Sequence, residues 1–130
     1  MDINHIMKGV KVEQVDPVHE DERRSLSAMF NGDFTAKQIK IIKIKVDSEL
    51  GNHYHEYHET FYVLKGEANY TLINIDTGEK KTLTLKEGQR MTIKPRIAHK
   101  AIIKAGTLMI EGTGKEYISA QENDVRYQVD

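Results

Sequence analysis

The 130-residue chain has no cysteine, so a disulfide framework, a thiolate nucleophile and a Cys-ligated zinc are all excluded. Any metal site must be built from His, Glu, Asp and water. An excess of one charge is also missing. Nineteen basic residues against 20 acidic ones leave a formal net charge of −1, and no bulk field to draw nucleic acid or an anionic membrane. Long apolar runs are absent as well. The opening MDINHIMKGVKVEQ has no signal-peptide core, and nothing approaches the roughly 20 apolar residues of a membrane span. The expectation is a cytoplasmic protein with neither nucleic acid nor membrane as a partner. Helical periodicity is scarce too: PVHEDERRSL, residues 17–26, is too charged and too short to assign.

What is present is strand pattern. The length suits one domain, enough to bury a core unaided. From residue 38 onward short apolar runs alternate with polar residues. IKIKV at 42–46 places Ile42, Ile44 and Val46 on one face, and TFYVL and YTLINI are rich in β-branched and aromatic residues. DTGE reads as a hairpin turn, and KEGQ and Ala105-Gly106 are further turn signals. Strands spaced about 8 to 12 residues apart predict an all-β sandwich or closed barrel. The expected layout is an N-terminal arm with first strands over 1–37, a core over 38–113 and a polar tail over 114–130, all one domain.

Six histidines occur in the chain, and GNHYHEYHETFYVLKGEA holds three of them between positions 53 and 58. Residues two apart on a strand face the same side, so His53 and His55 sit together, about 7 Å apart along the chain. That pair suits one ion. Glu59 opens the next apolar run and offers a carboxylate oxygen, and His99, after the KPRIA turn, is the remaining histidine best placed to join them. Imidazoles plus a carboxylate suit Fe(II), Mn(II), Ni(II), Cu(II) or Zn(II). His58 has the opposite parity, and His5 and His19 fall in the arm, where solvation is expected.

His53-x-His55, three residues, Glu59, six residues, Gly66 resembles the first motif of the cupin family, H-x-H-x3-E-x6-G, and Gly88, Pro95 and His99 resemble the second. The departures are Asp47 where a glycine usually opens the first motif, six residues instead of five between Gly88 and Pro95, and Ile97 and Ile103 where glycine and asparagine are usual. The resemblance implies an antiparallel jelly-roll β-barrel with a metal near its centre, held by His53, His55, Glu59 and His99, and a homodimer. A narrower resemblance is to deoxysugar 3,4-ketoisomerases and 3,5-epimerases. DERRSL resembles their D-x-R-G-x-L segment, and LGNHYHE their R-G-x-H segment, with Leu50 in place of the arginine. It implies that His53 serves as catalytic base.

These expectations meet in a cupin binding one divalent transition metal (Zn, Ni, Mn or Fe) and acting on a small molecule, as a sugar or nucleotide-sugar isomerase or epimerase. A metal-bound His53 cannot serve as free base with the same nitrogen, so His58 and Tyr62 are stand-ins. Two rivals remain: an Fe(II)-dependent dioxygenase, and a cupin that binds a sugar or effector without turnover. An isomerase calls for basic groups at the barrel mouth, with Arg23, Arg90 and Arg96 as candidates; a dioxygenase calls for an apolar pocket and iron. Phe61 and Val63 share the parity of Glu59 and are expected to line the cavity. The AMF and IIKI segments are expected to be strands that pair across the dimer.

Overall fold

Apolar alternation and turn chemistry account for nearly every element of the computed structural model, which describes residues 3–130, with side chains from Ile6 onward. The strands in chain order are β1 Ile3–Met7, β2 Val10–Gln14, β3 His19–Glu20, β4 Ser25–Leu26, β5 Gln38–Lys43 and β6 Ser48–Tyr54. They continue with β7 Glu59–Lys65, β8 Glu67–Asn74, β9 Lys80–Lys86, β10 Gln89–Ile93, β11 Ile97–Ile103 and β12 Leu108–Thr113. A single helical turn, α1 Ala120–Asn123, and β13 Val125–Arg126 complete the chain. Among the described residues no helix is long and apolar enough to cross a membrane.

Two antiparallel sheets form the jelly-roll barrel. One has the order β1-β2-β10-β7-β12-β5, the other β13-β6-β11-β8-β9. Between them lies the core, with Val63, Leu72, Leu85, Met91, Ile93 and Met109 fully buried. Truncating one of these to Ala removes packed surface and leaves a void, at about 2–5 kcal/mol. Glu59, Phe61 and Val63 alternate inward along β7 as their parity demands, while Tyr62 faces outward, in register with Arg90 and Ile110.

Two strand expectations are corrected. β5 ends at Lys43, so Ile44 is still buried but Val46 is 68% exposed and does not share its face. The AMF segment is not a strand; Met29 and Phe30 belong to an irregular strap over the outer face of the six-stranded sheet. The 17–26 segment is the two-residue ladder of β3 with β4, turned by Asp21, which accepts from the amides of Arg23 and Arg24. His19 is exposed and pairs with Asp21 at 2.9 Å, while the His5 side chain lies outside the described residues.

Arg90 ties the strap to the barrel. Its guanidinium donates to the Met29 carbonyl at 2.7 Å, pairs with Glu13 at 2.6 Å and also bonds Asp33. The hydrogen bond from Arg90 holds the Asp33 carboxyl down, to about 2. A carboxyl depressed in the folded state stabilises the fold above its unfolded pKa of about 3.9, and that contribution drains as pH falls toward 2. Asp33→Asn is therefore expected to flatten the acid limb of a denaturation-versus-pH curve over this window. Arg90→Ala, which strands the buried Glu13, is expected to cost about 3–5 kcal/mol in chemical denaturation at neutral pH.

Candidate metal centre and cavity

The site begins with a backbone irregularity. His99 is opposite His53, but Lys100 is opposite Gly51, so Asn52 is an extra residue that bulges β6 just before the first histidine. Both bulge residues have positive φ, +101° at Gly51 and +58° at Asn52. Gly51 is required there, because a Cβ would lie 2.4 Å from the His99 carbonyl oxygen. Asn52 is held in its left-handed conformation by the C-terminal segment: its carbonyl accepts from Tyr127 N and its Oδ1 from Val129 N.

His53, His55 and His99 converge, each offering a ring nitrogen within 4.8 Å of the others. Their rings pack at centroid distances of 4.6 Å (His53–His55) and 4.8 Å (His53–His99), and Tyr57 stacks on His55 at 4.6 Å. His55 Nδ1 donates to the Asn123 carbonyl at 2.7 Å, and His99 Nδ1 to the Ile97 carbonyl at 3.1 Å. A carbonyl only accepts, so both Nδ1 atoms carry the proton, and in the neutral rings Nε2 keeps its lone pair. His53 Nδ1 lies 3.5 Å from Asp124 Oδ2, and Asp124 Oδ1 is 3.5 Å from His55 Nδ1. Fixing one ring nitrogen to orient the other is how protein metal sites hold imidazole ligands. Burial favours neutral rings, pushing His99 down to about 3 and lowering His53 against the opposing pull of Asp124.

Glu59 reaches this cluster from the facing sheet. It is 1% exposed, and its Oε1 is 3.4 Å from His55 Nε2 and 3.7 Å from His99 Nε2. As a carboxylate it finds no hydrogen-bond donor for either oxygen. Its one carboxyl partner is Glu111 of β12, and two carboxyl groups can share a hydrogen bond only if one keeps its proton. Burial raises Glu59 to about 7, while burial and the neighbouring Glu59 raise Glu111 to about 9. A buried carboxylate with no donor, facing oriented imidazole lone pairs, fits a cation. His53, His55, His99 and Glu59 are the residues that would hold it.

The cluster lies in a cavity of about 210 Å³ between the two sheets. One wall is apolar, with Ile42, Phe61, Ala101, Ile103 and Met109; the polar lining adds Lys40, Tyr57, Glu111, Tyr117, Asn123 and Asp124. Burial pushes the Tyr57 hydroxyl up to about 12, so it stays protonated. Phe61 lines the cavity as parity predicts, but Val63, though fully buried, does not. His58 is exposed and Tyr62 faces outward, so neither reaches the cavity. Arg23 is also exposed, Arg96 is half-buried and pairs with Asp76 and Glu56, and Arg90 is buried under the strap; none of the three lines the cavity. Sequence reasoning missed Glu111, Asn123 and Asp124. Glu111 could have been found from strand parity, since Met109 and Glu111 share a face of β12, but the tail carries no comparable signal.

The cupin domain model matches residues 40–110, more than half of the chain, and the chain belongs to that family. No curated protein matches. Among solved structures, the TDP-quinovose 3,4-ketoisomerase of Campylobacter jejuni superposes with a TM-score of 0.80 at 17% identity, covering 92% of this chain and 94% of that one. The dTDP-6-deoxy-D-glucose 3,5-epimerase of Legionella pneumophila, in complex with dTDP-4-keto-L-rhamnose, superposes at 0.78 and 16% identity, covering 96% and 76%. A 3,4-ketoisomerase from Helicobacter canadensis gives 0.76 at 21% identity, with 90% of each chain covered. At these identities the likeness establishes a shared fold.

The carboxyl pair has a measurable signature. A carboxyl whose pKa is raised by folding stabilises the protein fully below its unfolded value and loses that contribution as pH rises through the folded one. In metal-free protein the contribution of Glu59 and Glu111 is therefore expected to fall between about pH 5 and about pH 9. The Glu59→Gln, Glu111→Gln double variant is expected to lose that slope in a thermal-denaturation series.

Proposed function

We propose that this cupin binds one divalent transition ion (Zn, Ni, Mn or Fe) and moves a proton on a small hydroxy-carbonyl compound of the sugar class, as an isomerase or epimerase. The observation that carries the reading is the convergence of oriented imidazole nitrogens on a buried carboxylate without donors, at the wall of a cavity. Its volume of about 210 Å³ is below the roughly 300–1,000 Å³ of sites for drug-sized ligands. Among the described residues no arginine lines it. Both features support a free sugar over a nucleotide-sugar as the occupant.

The bound ion would supply Lewis acidity toward a carbonyl or enediolate oxygen. The chain supplies the rest. His53, His55, His99 and Glu59 hold the ligand positions, which leaves proton handling to Glu111, Asp124 and the Tyr57 hydroxyl along the cavity wall. Glu111, whose affinity for a proton is raised by burial, can exchange one with a substrate oxygen or carbon, while Tyr57 donates a hydrogen bond to developing negative charge. The apolar wall excludes water from the reacting carbon. That same wall favours a second reading, Fe(II)-dependent oxygen chemistry, and the identity of the ion separates the two. A binding module would hold the ion and ligand but catalyse no exchange.

Metal content by mass spectrometry on untagged protein tests the reading. About one equivalent per chain is expected, lost in the His53→Ala, His99→Ala double variant. Zinc, nickel or manganese with enzyme-dependent deuterium uptake α to the carbonyl in D2O supports the isomerase; iron with oxygen consumption supports the rival. No metal after reconstitution ends the metal reading and leaves His53, beside Asp124, as a general base.

The proposal extends to a homodimer. β5 is an edge strand whose outward Ile39 and Ile41 are 62% and 69% exposed, a surface that self-pairing would cover. Light scattering is expected to give twice 14.9 kDa, and Ile41→Lys to shift the mass toward the monomer. A wild-type monomer at tens of micromolar rules the dimer out.

A further inference from the structure

Lys40 is the single lysine or arginine among the described residues that line the cavity. Strand alternation puts it there: Ile39 and Ile41 of β5 point away from the cavity, while Ile42 turns inward and Lys40 lines the rim, its side chain still 43% exposed. Its Nζ lies 3.7 Å from Glu111 Oε1 and 4.8 Å from the centre of the Tyr117 ring. The first contact is longer than a hydrogen bond, and the second is a cation–π contact. Neither uses the three ammonium donors in a hydrogen bond, and the flexible stem lets them turn to a ligand.

We infer from this arrangement that Lys40 makes the cavity selective for a sugar carrying one terminal anionic group, a carboxylate or a phosphate, over the corresponding neutral sugar. The rest of the lining supports this. Glu59, Glu111 and Asp124 place carboxyl groups on both sides of the histidines, so apart from the ion position itself Lys40 is where the lining offers an anionic group a cation. Next to Lys40 it gains a charge-assisted hydrogen bond. Glu111 stands between the ammonium and Glu59, so a ligand anchored on Lys40 extends its uncharged end past Glu111 toward the imidazoles. Lys40 thereby sets both selectivity and the direction in which the substrate enters. The inference rests on the sugar reading above, but Lys40 can be tested apart from the metal.

The test is titration calorimetry on the full chain, as isolated and after metal reconstitution, with D-glucose, D-glucuronate, D-galacturonate and D-glucose 6-phosphate. Metal content is measured on the same samples. At least one anionic sugar is expected to bind about tenfold or more tightly than D-glucose, the scale of one hydrogen bond to a charged group. That ratio is expected to fall toward one in Lys40→Gln and to return in Lys40→Arg. The uronates and the phosphate tell carboxylate from phosphate. Lys43→Gln removes an outward-facing lysine three residues along the same strand, and is expected to leave the ratio unchanged. Equal binding of anionic and neutral sugars, no binding by any of them, a ratio that survives Lys40→Gln, or an equal loss in Lys43→Gln overturns the inference. Absence of metal with an intact Lys40-dependent ratio overturns the metal reading alone.

Discussion

A carboxylate that the fold buries without a donor is the constraint on which this barrel turns. Glu59 sits at the start of a strand whose inward face is otherwise apolar, and the facing sheet brings it imidazole nitrogens instead of N–H groups. Leaving a charge in that state costs several kcal/mol, and a protein answers by neutralising the group, pairing it or giving it a cation. Here the neighbouring Glu111 supplies a proton-sharing partner, and the oriented histidines form a cluster that would hold a cation in the proposed reading. The site is thus a strained polar pocket built inside a hydrophobic sandwich.

The surrounding structure keeps that pocket from relaxing. One histidine pair depends on a bulge that only glycine and a bonded asparagine can form, and the asparagine is secured by the last residues of the chain. Asn123 is the hub of this closure. Its backbone carbonyl fixes the His55 tautomer, while its side chain accepts from the Ile118 and Ser119 amides and donates to the Glu116 carbonyl and the Tyr57 hydroxyl. On the opposite sheet, Arg90 pins the strap over the outer face and holds β10 to β2 through Glu13. Rigid walls on both sides matter to the proposed chemistry, because proton transfer and metal binding would tolerate little displacement of the donor atoms.

Much of this was readable in advance, for identifiable reasons. The strand pattern and turns were legible because a period of two records which face is buried, and the pairing of His53, His55 and Glu59 followed from the same parity. His99 was legible as the first histidine after a turn, and the family motif agreed with it. Val46 misled because its apolar alternation continued past the end of β5, where no partner strand remains to give that face a core. The arginines misled in a different way: charge type says nothing about which surface a residue reaches, and Arg90 and Arg96 satisfy local carboxylates.

By itself the sequence determined the all-β class, a cysteine-free donor set and the local spacing of His53, His55 and Glu59. Each depends on residues near one another along the chain, where strand geometry is enough to place side chains. Only the tertiary structure decided that Glu111 would meet Glu59, that the polar tail would return to orient two histidines, and that Lys40 would be the one lysine or arginine among the described residues lining the cavity. Those contacts join residues far apart along the chain, whether on neighbouring strands of one sheet, as β7, β12 and β5 are, or between the tail and the end of β6, as Asn123 and His55 are (|i−j| = 68). No local period encodes such closeness; it arises when two twisted sheets close over a shared core.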